Sequence, residues 1–180
     1  MAFLRLVAAA LFLLPAFAPA TARDKLDAEI AYDISQKAIG RQTGDHVLID
    51  HRGQPLRLAD LRGQPLLVSL VFTSCATVCP ITTDHLREQV EIARKTLGPG
   101  RFAVLTFGFD ASNDKPQQLA AFAGTHRLRN IDDWYIASAD PETTAAFLEE
   151  LGFSFAVSAR GFDHVTQTSV LDAEGRVYRQ

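Results

Sequence analysis

The chain has 180 residues, 47% of them hydrophobic and 22% charged, and a formal net charge of −3. This is the balance of one globular domain with a full core, and it leaves little room for a second. No basic run is present, which excludes nucleic acid as a partner.

Residues 1–22 stand apart from the rest. Arg5 is their only charge, an apolar run extends from Leu6 to Phe17, and Ala20-Thr21-Ala22 offers small residues where a signal peptidase would cut, the pattern of a secretory signal peptide. The run from Leu6 to Ala22 also reaches the short limit for crossing a bilayer core of about 30 Å, so an uncleaved membrane anchor stays open, although Pro15 and Pro19 interrupt it. Either reading places the remainder in the periplasm or on the outer face of the cytoplasmic membrane. In such an oxidising compartment a two-cysteine protein is expected to hold a disulfide.

Residues 23–43 form an N-terminal helical extension. Leu26, Ile30, Ile34 and Ala38 recur every four residues and predict a peripheral helix ending at Gly40, with those side chains on its buried face. The main domain is expected over 44–180. It opens with a hairpin, Val47 to Ile49 and Leu56 to Leu58 around Arg52-Gly53-Gln54. PLLVSLVFT (65–73) is nearly continuous in aliphatic residues, as in a strand buried on both faces, and runs directly into the cysteines. Pro80 suits a first helical turn, and Leu86, Val90, Ala93 and Leu97 make an apolar stripe closed by Gly98-Pro99-Gly100. FAVLTFGF (102–109) is a second buried strand, so the order is strand, helix, strand, with parallel strands and a right-handed connection. A second round comes next: a helix on Leu119, Phe122 and Ala123, a short strand at 134–137, and a helix on Ala145, Leu148 and Leu151 closed by Gly152. After Phe153 to Val157 a loop through Gly161 is expected, then a terminal hairpin around Ala173-Glu174-Gly175.

FTSCATVCP (72–80) contains the only two cysteines, Cys75 and Cys79. The C-x-x-x-C spacing fits a structural bridge, a redox pair or two metal ligands. A bridge closing so short a loop contributes only on the order of 2 kcal/mol. The pair instead lies between the C-terminal end of a buried strand and a helix start, where α/β sheets place ligands. Free amide groups and the helix dipole there favour a thiolate, in Cys79 above all. Helical residues four apart are separated by about 6 Å, within the Cα range of about 4.4–6.8 Å for a disulfide, so oxidation and chelation both remain open.

A metal reading needs a further ligand. His46 and His51 flank the first hairpin and are expected in solvent, His85 is turned away on the cysteine helix, and His126 continues the Leu119 face, half buried. His164, in GFDHVTQTSVLD, precedes a predicted core strand, and the residues alone leave its role open.

The combination of C-A-T-V-C-P, a distant Asp163-His164, the following strand and D-x-x-G at Asp172 and Gly175 resembles the Sco/SenC family of thioredoxin-fold copper proteins. LADLRGQPLLVSLVFTSC is similar to the family's entry to its cysteine strand, and GFDASNDKP, with Asp110, Asp114 and Pro116, to its D-x-x-x-D-x-P stretch. The resemblance covers roughly 44–180. Ser74 stands where the family often has histidine, and Val165 where it often has serine. It implies a thioredoxin-like α/β fold, a central mixed sheet flanked by helices with an N-terminal hairpin. Relatives continue into a further helix covering the sheet, which is expected to be missing after Gln180 and to leave an apolar strip open to self-association.

The resemblance further implies an exported copper chaperone with Cys75, Cys79 and His164 as ligands of Cu(I) or Cu(II). Its partner is then the copper-centre subunit of cytochrome c oxidase or another periplasmic copper protein. Asp110 and Asp163 are candidates for orienting His164. The alternative is a thiol-disulfide oxidoreductase in which Cys75 and Cys79 cycle to keep partner cysteines reduced, with no need of His164.

Overall fold

The structure, a computed structural model, describes residues 26–159 and 161–180; the signal or anchor expected at 1–22 lies outside them. The chain runs α1 (Ala28–Lys37), β1 (Val47–Asp50), β2 (Pro55–Arg57), a 3-10 turn (Leu58–Leu61), β3 (Leu66–Val71), α2 (Val78–Leu97) and β4 (Ala103–Gly108). It continues through α3 (Pro116–Thr125), β5 (Trp134–Ser138), α4 (Pro141–Glu150), β6 (Phe155–Ser158), β7 (Gly161–His164), β8 (Thr168–Leu171) and β9 (Val177–Arg179).

Seven strands form one mixed sheet in the order β2-β1-β5-β4-β3-β8-β9. Its centre is parallel, Leu66 of β3 facing Ala103 and Val104 of β4 facing Trp134 of β5, and β1 and β8 join antiparallel on either side. Every residue of β4 is buried, as an apolar run covered by helices on both faces requires. The predicted βαβ unit is thus β3-α2-β4, and α2 ends at Gly98, whose φ of 92° admits no ordinary side chain without strain. Expected hairpins β1-β2 and β8-β9 are both present. This is the thioredoxin-like arrangement expected from the sequence.

Three expectations give way. In α1 the buried residues are Ala31 and Ser35, joined by Ala38, while Ile30 is 58% exposed and Ile34 lies partly in solvent. The helix approaches Gly152 so closely that a Cβ there would stand 2.7 Å from the Ala38 Cβ and the Ile34 carbonyl oxygen. Only a small-residue face fits that approach, so the isoleucines turn outward. On α4, Thr144, Phe147 and Leu148 are buried and Ala145 is exposed. Finally, the loop expected through Gly161 is a hairpin of its own: β6 and β7 pair antiparallel, Phe155 opposite His164, as a separate two-stranded sheet. His164 therefore ends a strand outside the main sheet.

Candidate metal centre

The C-terminal ends of β3, β4 and β5 carry the chemistry. β3 leads through Phe72 and Thr73 into the cysteine loop, and the Cys75 N–H donates to the Phe72 carbonyl at 3.0 Å. No side-chain oxygen caps α2 at Thr77. The Cys75 sulfur takes that place, accepting from the Cys79 N–H at 3.4 Å, where amide groups of a first helical turn favour negative charge.

The two thiols are therefore unequal. Burial raises the Cys75 pKa, but the amides of Cys79, Thr77 and Val78 and the Cys79 thiol outweigh it and leave Cys75 at about 7. Cys79 is 2% exposed, and burial, reinforced by Cys75 and Asp114 against one hydrogen bond from Phe72, pushes it up to about 12. This reverses the expectation that the dipole acts mainly on Cys79: its side chain turns into the core, whereas Cys75 overhangs the free amides. Both cysteines are free.

Across an open cleft of about 880 Å³, Cys75 and Val78 face Phe162, Asp163 and His164 of the β6-β7 hairpin. The His164 ring is wedged among Phe72, Phe109 and Phe153 at centroid distances of 5.9, 5.5 and 5.5 Å. Its Nδ1 lies 2.9 Å from the Val165 carbonyl oxygen. A carbonyl only accepts, so Nδ1 carries the proton and Nε2 keeps a lone pair for a metal. Among the described residues no three or more His, Cys, Asp or Glu side chains are gathered closely enough to hold a metal ion. Cys75 and His164 share the cleft; Cys79 lies beneath it.

The two aspartates take other partners. Asp163 accepts from the Leu26 N–H at 3.2 Å. Asp110 accepts from Ser112 N–H and the Asn113 amide within its own loop and borders a neighbouring hollow lined by Phe109, Phe153 and Phe155. Neither bonds the Nδ1 of His164 in this arrangement. His46, His51 and His126 correct the expectations made for them. His46 is half-buried, with Nε2 2.8 Å from Glu150, His51 is half-buried, and His126 is fully buried, with Nδ1 2.9 Å from Asp84. His85 is exposed.

The family model SCO1/SenC matches residues 35–180. The chain belongs to the SCO1/SenC family. A SCO1 protein homolog of Bacillus subtilis is 32% identical over 83 residues, which are 46% of this chain and 41% of the relative. The chain thus spans about two fifths of the length of that relative. A solved structure of a protein from Aquifex aeolicus VF5 superposes with a TM-score of 0.71 at 26% identity, covering 78% of this chain and 82% of that one. Yeast Sco1 with copper bound gives a TM-score of 0.63 at 17% identity, covering 76% and 77%, and that likeness is one of fold. In this SCO1/SenC chain two of the residues singled out from the sequence, Cys75 and His164, line one cleft, and the aromatic cage around His164 was not anticipated. Five phenylalanines, 72, 109, 153, 155 and 162, with His164 among them, come from segments far apart in sequence. The one signal was the phenylalanine count of 12 in 180 residues.

Proposed function

We propose that this protein is an exported copper-binding metallochaperone that holds copper through the thiolates of Cys75 and Cys79 and the Nε2 of His164, and passes it to the binuclear copper centre of cytochrome c oxidase. The observation that carries this reading is the half-ionised Cys75 thiol facing, across one cleft, a histidine whose Nδ1 is fixed on a carbonyl. Two soft thiolates suit Cu(I), and an added imidazole extends the site to Cu(II). Arabidopsis and yeast relatives solved with copper bound support the metal. BsSco, described as a member of the Sco family of cytochrome c oxidase assembly proteins, supports the recipient.

Binding through both sulfurs would remove the Cys79 proton. At pH 7 Cys75 is half ionised and Cys79 fully protonated, so each copper bound by both sulfurs displaces about 1.5 protons. Anaerobic titration of the reduced protein in weak buffer reads stoichiometry and proton release together. One copper per chain, with Cys75→Ser and Cys79→Ser each abolishing tight binding, is the expected result; unaltered binding in either variant would remove the two-thiolate site. His164→Ala retains Cu(I) and loses most Cu(II).

The asymmetry of the cysteines favours a second reading, thiol-disulfide reduction. A thiol near 7 attacks best at neutral pH, and a buried neighbour resolves the mixed disulfide. On that reading His164→Ala leaves the reduction potential of the pair nearly unchanged and has no selective effect on either copper oxidation state.

A further inference from the structure

Asp114 is the residue of the D-x-x-x-D-x-P stretch that stands outside the proposed ligand set, beyond its charge helping to hold the Cys79 thiol protonated. It is 1% exposed. One carboxylate oxygen accepts from Thr73 twice, from its N–H at 2.8 Å and its hydroxyl at 2.7 Å. The other accepts from the Asp110 N–H at 2.9 Å, and the Asp114 carbonyl accepts from the Ser138 hydroxyl at 2.5 Å. Gly108 has no room for a side chain, because a Cβ there would stand 2.8 Å from the Asp114 Cβ. One residue thus touches the segment leaving β3, the last residue of β4 and the last residue of β5. Of the groups it holds, Thr73 lies two positions before Cys75 and has a half-buried side chain.

A surface aspartate would contribute little by such contacts. A buried carboxylate with three donors is costly to leave unpaired, so its donors are held in place. We propose that Asp114 is the positioning residue of the cysteine loop: by fastening Thr73 to the turn after β4, it fixes where Cys75 stands relative to Cys79. The inference rests on Cys75 and Cys79 being the working pair. Pairing them with glutathione disulfide forms one S–S bond and breaks another: the two thiols give up two electrons and two protons, and two glutathione thiols leave. The equilibrium constant of that exchange measures the effective concentration of one cysteine at the other, which depends on loop placement.

The experiment compares Asp114→Asn, Thr73→Val and Thr73→Ser with the wild-type chain in glutathione buffers, each under conditions where circular dichroism shows it folded. Asn offers an N–H₂ where an acceptor is needed, Val removes the hydroxyl at constant shape, and Ser keeps it. Asp114→Asn and Thr73→Val each lower the constant at least about fivefold, a modest share of a charged hydrogen bond, while Thr73→Ser stays within about twofold of wild type by the same reasoning. The Asp114→Asn, Thr73→Val double variant falls no further than the larger single effect. If Asp114→Asn does not fold, the Val and Ser pair decides alone. An exchange constant unchanged in Thr73→Val, or lowered equally in Thr73→Ser, overturns the proposal, even if urea stability has dropped. Copper titration of the wild type is read separately: a chain that binds none refutes the copper reading and leaves the exchange result to judge Asp114.

Discussion

At pH 7, with Cys75 at about 7 and Cys79 at about 12, about half of the first thiol is ionised and only about one part in 10⁵ of the second. Thiolate fractions alone would favour Cys75 by roughly 5 × 10⁴, but the more basic thiolate is intrinsically more nucleophilic by roughly 10² to 10^2.5 for a Brønsted slope of about 0.4–0.5. Cys75 is left ahead by roughly 150- to 500-fold in alkylation rate, and the burial of Cys79 widens the gap. The assay uses iodoacetamide on reduced Cys75→Ser and Cys79→Ser variants from pH 5 to 9, with peptide mass spectrometry on the wild type to assign the modified sulfur. The Cys75 rate should titrate with a midpoint near 7 in the wild type. Equal rates at pH 7 to within tenfold, or a Cys75 midpoint at the ordinary thiol value near 9, would refute the idea that loop amides rather than the core govern this sulfur.

The same geometry sets other outcomes. Oxidation to a Cys75–Cys79 disulfide consumes both thiolates, so the oxidised chain should bind copper at least about 100-fold more weakly than the reduced one, checked by competition with a chelator. The reduced native state binds the Cys79 proton up to about 12, while an unfolded thiol loses it near 9; stability therefore falls as pH rises from 9 toward 12, and urea titrations should show a smaller loss in Cys79→Ser. Cys75 acts in the opposite sense, adding stability as pH rises from about 7 to 9. Gly152→Ala places a Cβ at a φ of 63° and against backbone atoms of α1, and should cost more than about 1–2 kcal/mol in urea unfolding, with added proteolysis within 28–37.

The central βαβ unit was legible because each element obeys one period: β3 and β4 are buried on both faces, and the α2 stripe recurs every three or four residues. The inner face of α1 was not legible from hydrophobicity, because Gly152 permits an approach that only Ala31, Ser35 and Ala38 can fill. Nor was the β6-β7 hairpin, since its strands are part-exposed and their burial comes from Phe72 and Phe109 on other elements. Pattern alone singled out Cys75, Cys79 and His164, and the fold brings Cys75 and His164 to one cleft. The ranking of the thiols was not legible, because it depends on whether a side chain leaves the helix axis toward the core or folds back over the first turn.

The separate pairing of β6 with β7 also bears on redesign. The two walls of the cleft share no backbone hydrogen-bond ladder; the histidine wall meets the cysteine wall through ring contacts such as Phe72 with Phe162, at 5.2 Å. A two-stranded ribbon has little independent stability, so its seat is set by those rings. Trimming one of them resets the span between imidazole and sulfur without disturbing the register of the seven-stranded sheet. The metal preference of such a scaffold can then be altered from side chains that donate no atom to a metal, and a grafted hairpin of different length can be exchanged between Ser154 and Thr166 as a cassette.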